Sequence, residues 1–485
     1  MNIVIIGAGL AGLECGYMLA KVGNHVTVLE QSNIIGGCLQ TFKRRGQKFD
    51  TGFHYIGGLD EGQHLWKIFK YFDLLDLPWK RMDDDCFDEV IIGDKHYKFA
   101  SGHQQFAKQM GDYFPNSRAE IETYTNFLKQ VGDNIFHGDE LRSQLIEQSA
   151  YEFLNKTISD PELRKVLSGA STKMELNPET LPLYTFAQIN DSYLRGAYRL
   201  QGGGSQIAEH LANSIKAMGG EVIASAKVTE LEDNEGKIAK ITVKYKNGEI
   251  DCIENPDYVI STIHPASTAM LVGKSQKMRP VYKRRLQRLE NTVGMFTANL
   301  SLKDGKIPYI NHNLFIHSKN ASPWQTEHEK LHSMMVHCNV PEEGDYAQQM
   351  DLLCPMPWNL LEKWVVDGKV ETDEEYRALK EEWLEKCIDF VKEDVPGLKE
   401  AVAEAYTSTP LTYLRYTGIP QGSAFGIRKD YRNVIGTIIS NHTPIENLML
   451  AGQNLALHGV LGVSMSAIST VSNLLQKNVL LTIDC

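Results

Sequence analysis

The chain opens with a short run of β-branched residues that leads directly into a glycine-rich turn. Ile3 to Ile6 predicts a buried strand, and apolar residues at helical spacing from Leu13 to Leu19 predict a helix that ends near Gly23. Val26 to Leu29 predicts a second buried strand. Together these patterns indicate one βαβ unit at the amino terminus.

Two later regions carry elements of the same kind. A helical pattern from Ile207 to Ile215 precedes several short strands with a hairpin turn at Asn247-Gly248, and we expect these strands, through Tyr258 to Thr262, to form a small meander. Near the C-terminus, Leu448 to Leu450 predicts a strand, and a helix rich in small residues begins at Gly459. Both regions are expected to join the amino-terminal unit.

The segments between these regions predict a different layer. Phe296 to Leu302 alternates apolar and polar residues, which predicts a half-buried strand. Met334 to Val340 and Tyr346 to Leu353 are expected to be its antiparallel neighbours. These segments therefore indicate a second, α+β domain built on a mixed or antiparallel sheet.

The whole pattern predicts an α/β fold with two domains. The nucleotide-binding domain is expected to be discontinuous and of the split Rossmann type, formed by residues 1–75, 197–270 and 435–485. The substrate-binding domain is expected to take residues 76–196 and 271–434.

Composition and charge narrow the function classes. The 485 residues are 42% apolar and 23% charged, which is typical of a globular protein, and the net charge of −11 argues against a nucleic-acid partner. The sequence has no apolar run long enough for a transmembrane segment and no export signal, so we expect a cytoplasmic protein. The eight cysteines are scattered without C-x-x-C spacing, so we expect reduced thiols and no metal site.

One predicted helix, from Met278 to Leu289, is unusually basic. It carries Arg279, Lys283, Arg284, Arg285 and Arg288 between apolar residues. A helix of this kind could rest on an anionic membrane surface as a peripheral contact. A solvated helix face on an acidic protein is the alternative and the commoner case.

The glycine-rich turn has the form of a dinucleotide fingerprint. Gly7, Gly9 and Gly12 have G-x-G-x-x-G spacing between the first strand and the first helix, and Glu30 follows the third glycine by 18 residues. Gly7 permits the tight turn, Gly9 lets the backbone approach a pyrophosphate, and Gly12 lets the helix pack on the strand. Glu30 can accept hydrogen bonds from a ribose. A glycine-rich turn that binds nothing is the alternative.

Later residues favour FAD over NAD as the nucleotide. Gly36-Gly37 follows Glu30 closely and supplies backbone donors for an extended cofactor. Cys38 has Lys43 where a disulfide partner five residues later would stand, which excludes disulfide-reducing chemistry. The helix that begins at Gly459 can approach a flat ring closely, and its N-terminal N–H groups would stabilise the negative charge of a reduced isoalloxazine.

Four stretches carry a family resemblance: residues 30–57, the GGGSQIAEHLANSIKAMGGEV stretch from Gly202, the TPLTYLRYTGIPQGSAFG stretch from Thr409, and AGQNLALHGVLG from Ala451. They resemble the retinol saturases and, more broadly, the carotenoid isomerase and phytoene desaturase branch of FAD-dependent oxidoreductases. The resemblance implies non-covalent FAD and a hydrophobic, polyene-like substrate against the flavin ring. Retinol saturases begin with a membrane-targeting leader, and we expect none here because the first predicted strand follows Met1 and Asn2 directly.

The resemblance also implies cofactor residues. Those expected at the ADP half are Gly7, Gly9, Gly12, Glu30, Gly37 and Val228, with Leu10, Ala11, Gln31, Gly36 and Cys38 as their neighbours. Those expected beside the flavin are Gly452, Gln453, Val460, Leu461 and Gly462.

The expected reaction is hydride transfer between flavin N5 and a carbon of an extended apolar substrate, which saturates or creates a double bond. Saturation also needs a proton donor, and the candidates are His54, Tyr55, His264 and His458, because they flank cofactor motifs and carry transferable protons. Of these, His54 and Tyr55 are preferred. A purely structural hydrogen-bonding role is the alternative for each of the four. NAD(P)H is the candidate electron donor.

Three other functions fit the sequence. Reduced FAD can support redox-neutral cis/trans isomerisation of a polyene, which the sequence does not separate from saturation. Amine oxidation on the same fold is disfavoured, because residues 448–485 contain no Phe, Trp or Tyr to cage an amine. A non-catalytic flavin sensor or polyene carrier is the third.

Overall fold

The computed structural model describes residues 1–137, 139–325 and 330–484. In chain order the strands are β1 (Asn2–Ile6), β2 (His25–Leu29), β3 (Thr41–Arg44), β4 (Gln47–Asp50), β5 (Ile56–Gly57), β6 (Trp79–Arg81), β7 (Asp88–Ile92), β8 (Lys95–Phe99), β9 (Ala197–Leu200), β10 (Glu221–Ile223), β11 (Ala226–Asn234), β12 (Lys237–Tyr245), β13 (Ile250–Glu254), β14 (Tyr258–Ser261), β15 (Gly294–Leu302), β16 (Asn313–His317), β17 (Ser333–Cys338), β18 (Gln349–Met356), β19 (Val365–Val366), β20 (Lys369–Val370), β21 (Val402–Ser408) and β22 (Leu448–Leu450). The α-helices are α1 (Leu10–Lys21), α2 (His64–Tyr71), α3 (His103–Tyr113), α4 (Arg118–Asp133), α5 (Asp139–Leu145), α6 (Ala150–Thr157), α7 (Pro161–Leu167), α8 (Leu183–Leu194), α9 (Ser205–Ala217), α10 (Pro265–Leu271), α11 (Pro280–Gln287), α12 (Glu374–Phe390), α13 (Leu398–Ala401), α14 (Pro410–Thr417), α15 (Val434–Thr437), α16 (Gly459–Leu475) and α17 (Leu480–Asp484).

A five-stranded parallel sheet brings the beginning, middle and end of the chain together. Its strand order is β10-β2-β1-β14-β22, and each neighbouring pair is parallel. Both β10 and β14 come from the middle region, and β22 comes from the C-terminal region. The predicted α/β fold with a split Rossmann-type sheet is confirmed.

Helices α1, α9 and α16 pack beside this sheet. α1 is buried from Leu10 to Ala20 because it contacts both other helices as well as the strands. A β-carbon added to Gly16 would lie 2.9 Å from Ile215 Cδ1, so the close packing of α1 on α9 depends on that glycine.

The predicted meander is smaller than expected. β11, β12 and β13 form a three-stranded antiparallel sheet, but the strand predicted at Tyr258 to Thr262 joins the parallel sheet as β14, between β1 and β22. Its residues Val259 and Ile260 are fully buried, which the parallel sheet satisfies because elements cover both of its faces. A short apolar run does not specify which sheet a strand enters.

The second large sheet has seven strands in the order β21-β15-β18-β17-β16-β7-β8. Its pairings are antiparallel except for β16 with β7, so the predicted mixed sheet is confirmed. The predicted neighbours of β15 are half right: β18 pairs with β15, but β17 pairs with β18 and β16 instead.

The prediction that β15 is half-buried is wrong, because all nine of its residues are buried. Phe296 packs against Trp383 of α12 with ring centroids 5.9 Å apart, so α12 covers the apolar face. The polar face, with Thr297 and Asn299 each 1% exposed, is turned into the molecule. No helix among the described residues is both long and apolar enough to cross a membrane.

Candidate functional site

A cavity of about 350 Å³ lies between the carboxyl ends of the parallel strands and the inward face of the seven-stranded sheet. Residues that the sequence singled out for the cofactor and that line this cavity are Gly7, Gly9, Leu10, Ala11, Glu30, Gly36, Gly37, Cys38, Gly452, Gln453 and Val460. His54, Tyr55, His264 and His458 line it too. The fold thus gathers stretches that are up to about 450 residues apart in sequence.

The glycine turn is shaped by contacts that exclude side chains. Gly7 has φ +99°, and a β-carbon on Gly12 would lie 2.0 Å from the Gly7 carbonyl oxygen. At Gly9 the nearest atom to an added β-carbon is Gly37 Cα at 3.9 Å, so this position opens onto the cavity. α1 begins here, and no described side chain caps it, so its N-terminal N–H groups are available to a ligand.

Glu30 stands at the end of β2 and holds the turn in place. Its Oε2 accepts a hydrogen bond from Ala8 N at 3.0 Å, and its Oε1 accepts one from Ser32 N at 2.8 Å. Burial raises the pKa of this carboxyl above its usual value, although the two N–H donors oppose that shift. Each carboxylate oxygen keeps a second lone pair for a ligand hydroxyl on the cavity side.

A second helix also directs its N-terminus at the cavity. α16 begins at Gly459 without a side-chain cap from any described residue, and both Gly459 and Val460 are on the cavity wall. Ser464 Oγ, one turn into α16, donates to Glu14 Oε1 of α1 at 2.6 Å, so the two helices are joined in the interior. Burial raises the pKa of Glu14 to about 8.

Five of the predicted cofactor residues lie behind the described cavity wall. Gly12 and Gly462 are packing positions, since a β-carbon on Gly462 would lie 2.6 Å from Leu457. Val228 and Leu461 belong to hydrophobic clusters. The Gln31 amide nitrogen would lie 3.2 Å from a β-carbon on Gly418, a wall residue.

Two of the four candidate proton donors are committed to structural hydrogen bonds. His264 Nδ1 accepts from Ala266 N at 3.2 Å and its Nε2 lies 3.1 Å from Asn291 Oδ1, while His458 Nε2 lies 3.1 Å from the Lys173 carbonyl oxygen. Burial lowers the pKa of both imidazoles to about 4. Both are therefore neutral at pH 7.

The other two candidates, Tyr55 and His54, differ in whether they are already hydrogen-bonded. The Tyr55 hydroxyl donates to Asp88 Oδ2 at 3.0 Å, and Lys173 Nζ lies 2.6 Å from the same oxygen. Burial and Asp88 hold the pKa of Tyr55 well above its usual value, so this phenol keeps its proton. Neither ring nitrogen of His54 hydrogen-bonds to any residue that the structure describes, and Nδ1 lies 3.6 Å from Asp351 Oδ2.

The sequence did not single out the wall opposite the glycine turn. Its apolar part is formed by Met295, Met335 and Leu353, and its aromatic part includes Tyr193, Tyr413 and Phe425. The polar ends Asp88 and Asp351 lie behind it. The alternation of apolar and polar residues in β15 indicates a polar face, but as the mark of a half-buried strand it predicts that this face meets solvent.

The residues on the first wall fit FAD. A glycine turn that opens at Gly9, two helix N-termini without side-chain caps and a carboxylate at Glu30 are suited to a pyrophosphate, a flavin edge and a ribose respectively. The Cys38 thiol faces the same space, and burial raises its pKa, so it is a protonated neighbour of the cofactor and no nucleophile.

Comparison with known proteins agrees with this geometry. The family model for flavin containing amine oxidoreductases matches residues 10–475. The all-trans-retinol 13,14-reductase of Danio rerio is 26% identical over 526 aligned positions, which cover 99% of this chain and 86% of that protein. The 4,4'-diapolycopene oxygenase of Methylomonas sp is 23% identical and covers 93% of both chains. A solved oxidoreductase from Methanosarcina mazei has a TM-score of 0.65 at 18% identity, over 97% of this chain and 100% of that one.

The resemblance expected from the sequence is thereby confirmed, and the family match implies FAD as the cofactor. The match runs from the first residue of α1 to the last residue of α16, so it includes both helices whose N-termini meet at the cavity. The chain belongs to the flavin-containing amine oxidoreductase family.

Proposed function

We propose that this oxidoreductase acts on carbon–carbon bonds of a hydrophobic polyene, with His54 as proton donor. Bound FAD supplies the hydride chemistry at its N5 atom. The chain's own tasks are to hold the cofactor at the glycine turn, orient the substrate, exclude water and deliver one proton. The names of the relatives support a polyene substrate, since they include a retinol reductase and a diapolycopene oxygenase.

The observation that carries this proposal is the apolar wall that faces the cofactor residues across one cavity. Met295, Met335 and Leu353 come from three strands of the seven-stranded sheet and present adjoining apolar side chains. Tyr193 and Tyr413 border them. An apolar, aromatic wall suits an extended conjugated chain, which gains binding free energy from buried area and from stacking.

Amine oxidation fits the cavity less well, although the family carries that name. The buried carboxylate of Asp88 is already paired with Lys173 Nζ at 2.6 Å, so it is not available to hold a cationic amine. Residues 448–485, which supply α16, contain no aromatic residue to cage an amine. The proposal includes redox-neutral isomerisation of the polyene, because that reaction would use the same apolar wall and the same cofactor.

The test is anaerobic reduction of the purified holoenzyme followed by mixing with candidate substrates. NADH, NADPH and dithionite are offered as reductants, and we propose a reduced nicotinamide as the electron donor. Reduced flavin that is reoxidised by all-trans-retinol or a carotenoid, with a saturated product, supports the proposal. Reoxidation by imines alone would assign amine chemistry, and a polyene isomerised without reoxidation would assign isomerisation.

We also propose that the cytoplasmic enzyme meets its substrate at a membrane, through α11. Arg284, Arg285 and Arg288 line a shallow groove, and none of them forms an ion pair with a described residue. Val281 in the same groove is 64% exposed, and Ile435 of α15 is 88% exposed. Basic side chains next to exposed apolar ones suit an anionic lipid surface.

Vesicle sedimentation tests this contact. Binding to phosphatidylserine vesicles, weaker on neutral phosphatidylcholine, should fall at least about tenfold when the three arginines are changed to Gln, since each basic residue contributes about 1 kcal/mol. Changing Lys227, Lys244 and Lys246, at the open end of the β11–β12 hairpin, to Gln is the charge-matched control. Equal binding of both triple variants would contradict the proposal.

A further inference from the structure

A row of buried polar side chains crosses five neighbouring strands of the seven-stranded sheet. In the strand order β15, β18, β17, β16 and β7, its members are Asn299, Asp351, His337, Asn313 and Asp88. Each is at most 4% exposed. Polar groups in a protein interior cost free energy unless they are hydrogen-bonded, so this row indicates a purpose beyond packing.

Most of the polar side chains in the row form hydrogen bonds with other members of the row. Asn299 Nδ2 donates to Asp351 Oδ1 at 2.7 Å, and Asn313 Nδ2 donates to Asp88 Oδ1 at 3.0 Å. The Asn313 oxygen is then the acceptor for His337 Nδ1, 3.0 Å away, which fixes the proton of that imidazole on Nδ1. The amides thus orient the ionisable groups between them.

One carboxylate oxygen in the row has no hydrogen-bond partner among the described residues and lies near His54. Asp351 Oδ2 is buried and makes no hydrogen bond within the described part of the chain. His54 belongs to the cavity wall, its side chain is 11% exposed, and its Nδ1 lies 3.6 Å from this oxygen. A shift of less than about 1 Å would close this gap to a hydrogen bond, and catalytic hydrogen bonds are often long before substrate binds.

We propose that Asp351 positions His54, which is the acid that donates the proton. This inference rests on the proposed function. Asn299 holds Oδ1, so Oδ2 accepts the Nδ1–H of His54 and orients the ring for transfer from Nε2, which is buried and has no hydrogen-bond partner among the described residues. The hydride adds to one carbon of the double bond, and His54 Nε2 releases its proton to the adjacent carbon. The π bond breaks, two C–H bonds form, and the two electrons come from flavin reduced by the nicotinamide. His54 ends neutral and takes its next proton from solvent.

The charged and titratable groups around the pair favour His54 as the residue that carries the proton. Burial, Arg199 and His54 itself hold the pKa of His337 well below its usual value, so this neighbouring imidazole is neutral. Burial raises the pKa of Asp50 to about 7, although a hydrogen bond from Gly204 N opposes that shift. Below that pH Asp50 is neutral and carries no charge that would compete with Asp351 for His54.

Single-turnover kinetics of the holoenzyme test this arrangement. The flavin is reduced anaerobically, mixed with all-trans-retinol, and its reoxidation is followed across pH. Asp351→Asn should retain the flavin and its spectrum but slow reoxidation at least about tenfold. Because the imidazolium loses the charge that stabilises it, the rate should also fall off at lower pH than in the wild type. A packing defect alone would leave that pH profile unmoved.

Asp191→Asn is the matched control. Asp191 is 1% exposed and lies 2.7 Å from His103 Nε2, so it is also a buried carboxylate beside an imidazole, but it does not belong to the cavity wall described above. It should reoxidise at the wild-type rate. If Asp351→Asn does not fold, Asn299→Ala is the second variant, because it removes the donor that orients Asp351 and should slow reoxidation. A carboxylate with one donor fewer is more basic, so the fall-off in rate should move to higher pH in this variant.

Three results would overturn the inference. Unchanged rate and pH profile in Asp351→Asn, with an active wild type, would remove Asp351 while the proposed function stands. A wild type that no polyene reoxidises or isomerises would remove the proposed function as well. One ligand-type atom each of His54, His337 and Asp351 lie within 4.8 Å of one another, so a stoichiometric transition metal in the purified holoenzyme would assign the group to metal binding instead.

Discussion

The two walls of the cavity differ in whether backbone groups or side chains form them. The wall at the parallel sheet is mostly backbone: glycines with positive φ at Gly7 and Gly36, and the N-termini of α1 and α16. The wall at the seven-stranded sheet is made of side chains, delivered by three strands of that sheet and by neighbouring helices and loops. A backbone wall binds the invariant part of a cofactor, whereas a side-chain wall can be changed one residue at a time to suit a substrate.

This difference predicts that substitutions in the two walls have separate effects on flavin binding and on the reaction. Changes at the glycine turn should remove the flavin and leave the protein folded. Changes behind the opposite wall should leave the flavin and remove the reaction. The following experiments run from the largest expected effect to the smallest.

Gly9→Val should abolish flavin binding. The valine side chain would occupy the space where the backbone opens onto the cavity, whereas the protein itself leaves 3.9 Å to the nearest atom and should still fold. We expect FAD affinity to fall by about 100-fold or more, measured by the visible spectrum after reconstitution. Gly273→Val, at an exposed glycine, is the control. A yellow Gly9→Val protein would show that the turn is not the cofactor site.

His54→Gln should separate binding from chemistry. Losing a general acid typically costs about 100-fold or more in rate, and the flavin, held by the other wall, should remain bound. Reoxidation by the polyene is the measurement. His103→Gln, at the other histidine beside a buried aspartate, should react normally. Normal turnover in His54→Gln would exclude it as the donor.

Glu14→Gln should change how stability depends on pH. The folded pKa of Glu14, about 8, exceeds the unfolded value of 4.5, so the native state keeps this proton where the unfolded chain has lost it. Wild-type stability should therefore fall as pH rises from about 4.5 to about 8, by a few kcal/mol at about 1.4 kcal/mol per unit. The Glu14→Gln variant has no such proton, so the decrease in its free energy of unfolding over this pH range should be smaller by that amount. Thermal unfolding at pH 5 and 8 measures it, with the exposed Glu209→Gln as control.

Tyr55→Phe should have the smallest effect. The Tyr55 hydroxyl already donates to Asp88, so removing it leaves the ring on the wall and costs one buried hydrogen bond, about 1 kcal/mol or somewhat more. Turnover should fall less than about fivefold. A loss as large as that of His54→Gln would transfer the proton-donor role to Tyr55.

The sequence predicted the glycine turn of the first wall because the determinants of that turn are local. The glycine spacing, Glu30 and the helix that follows are contained in thirty residues, and strand–turn–helix geometry places them together. The strands that complete the parallel sheet were predicted with nearly correct bounds, but β14 was assigned to the wrong sheet. A buried strand has the same appearance in either sheet, and pairing partners are chosen by the whole core.

The amino-acid sequence by itself determined the nucleotide turn and the first two parallel strands, since these depend on residue types close to one another along the backbone, and its separate stretches together indicated the family of the chain. Tertiary structure alone decided that the polar face of β15 is buried, that Asp351 lies behind His54, and that His264 and His458 are already hydrogen-bonded. Those facts depend on strand order and on what covers each face, and alternation of polar and apolar residues reports a two-sided strand without saying whether the polar side meets water or another layer of protein.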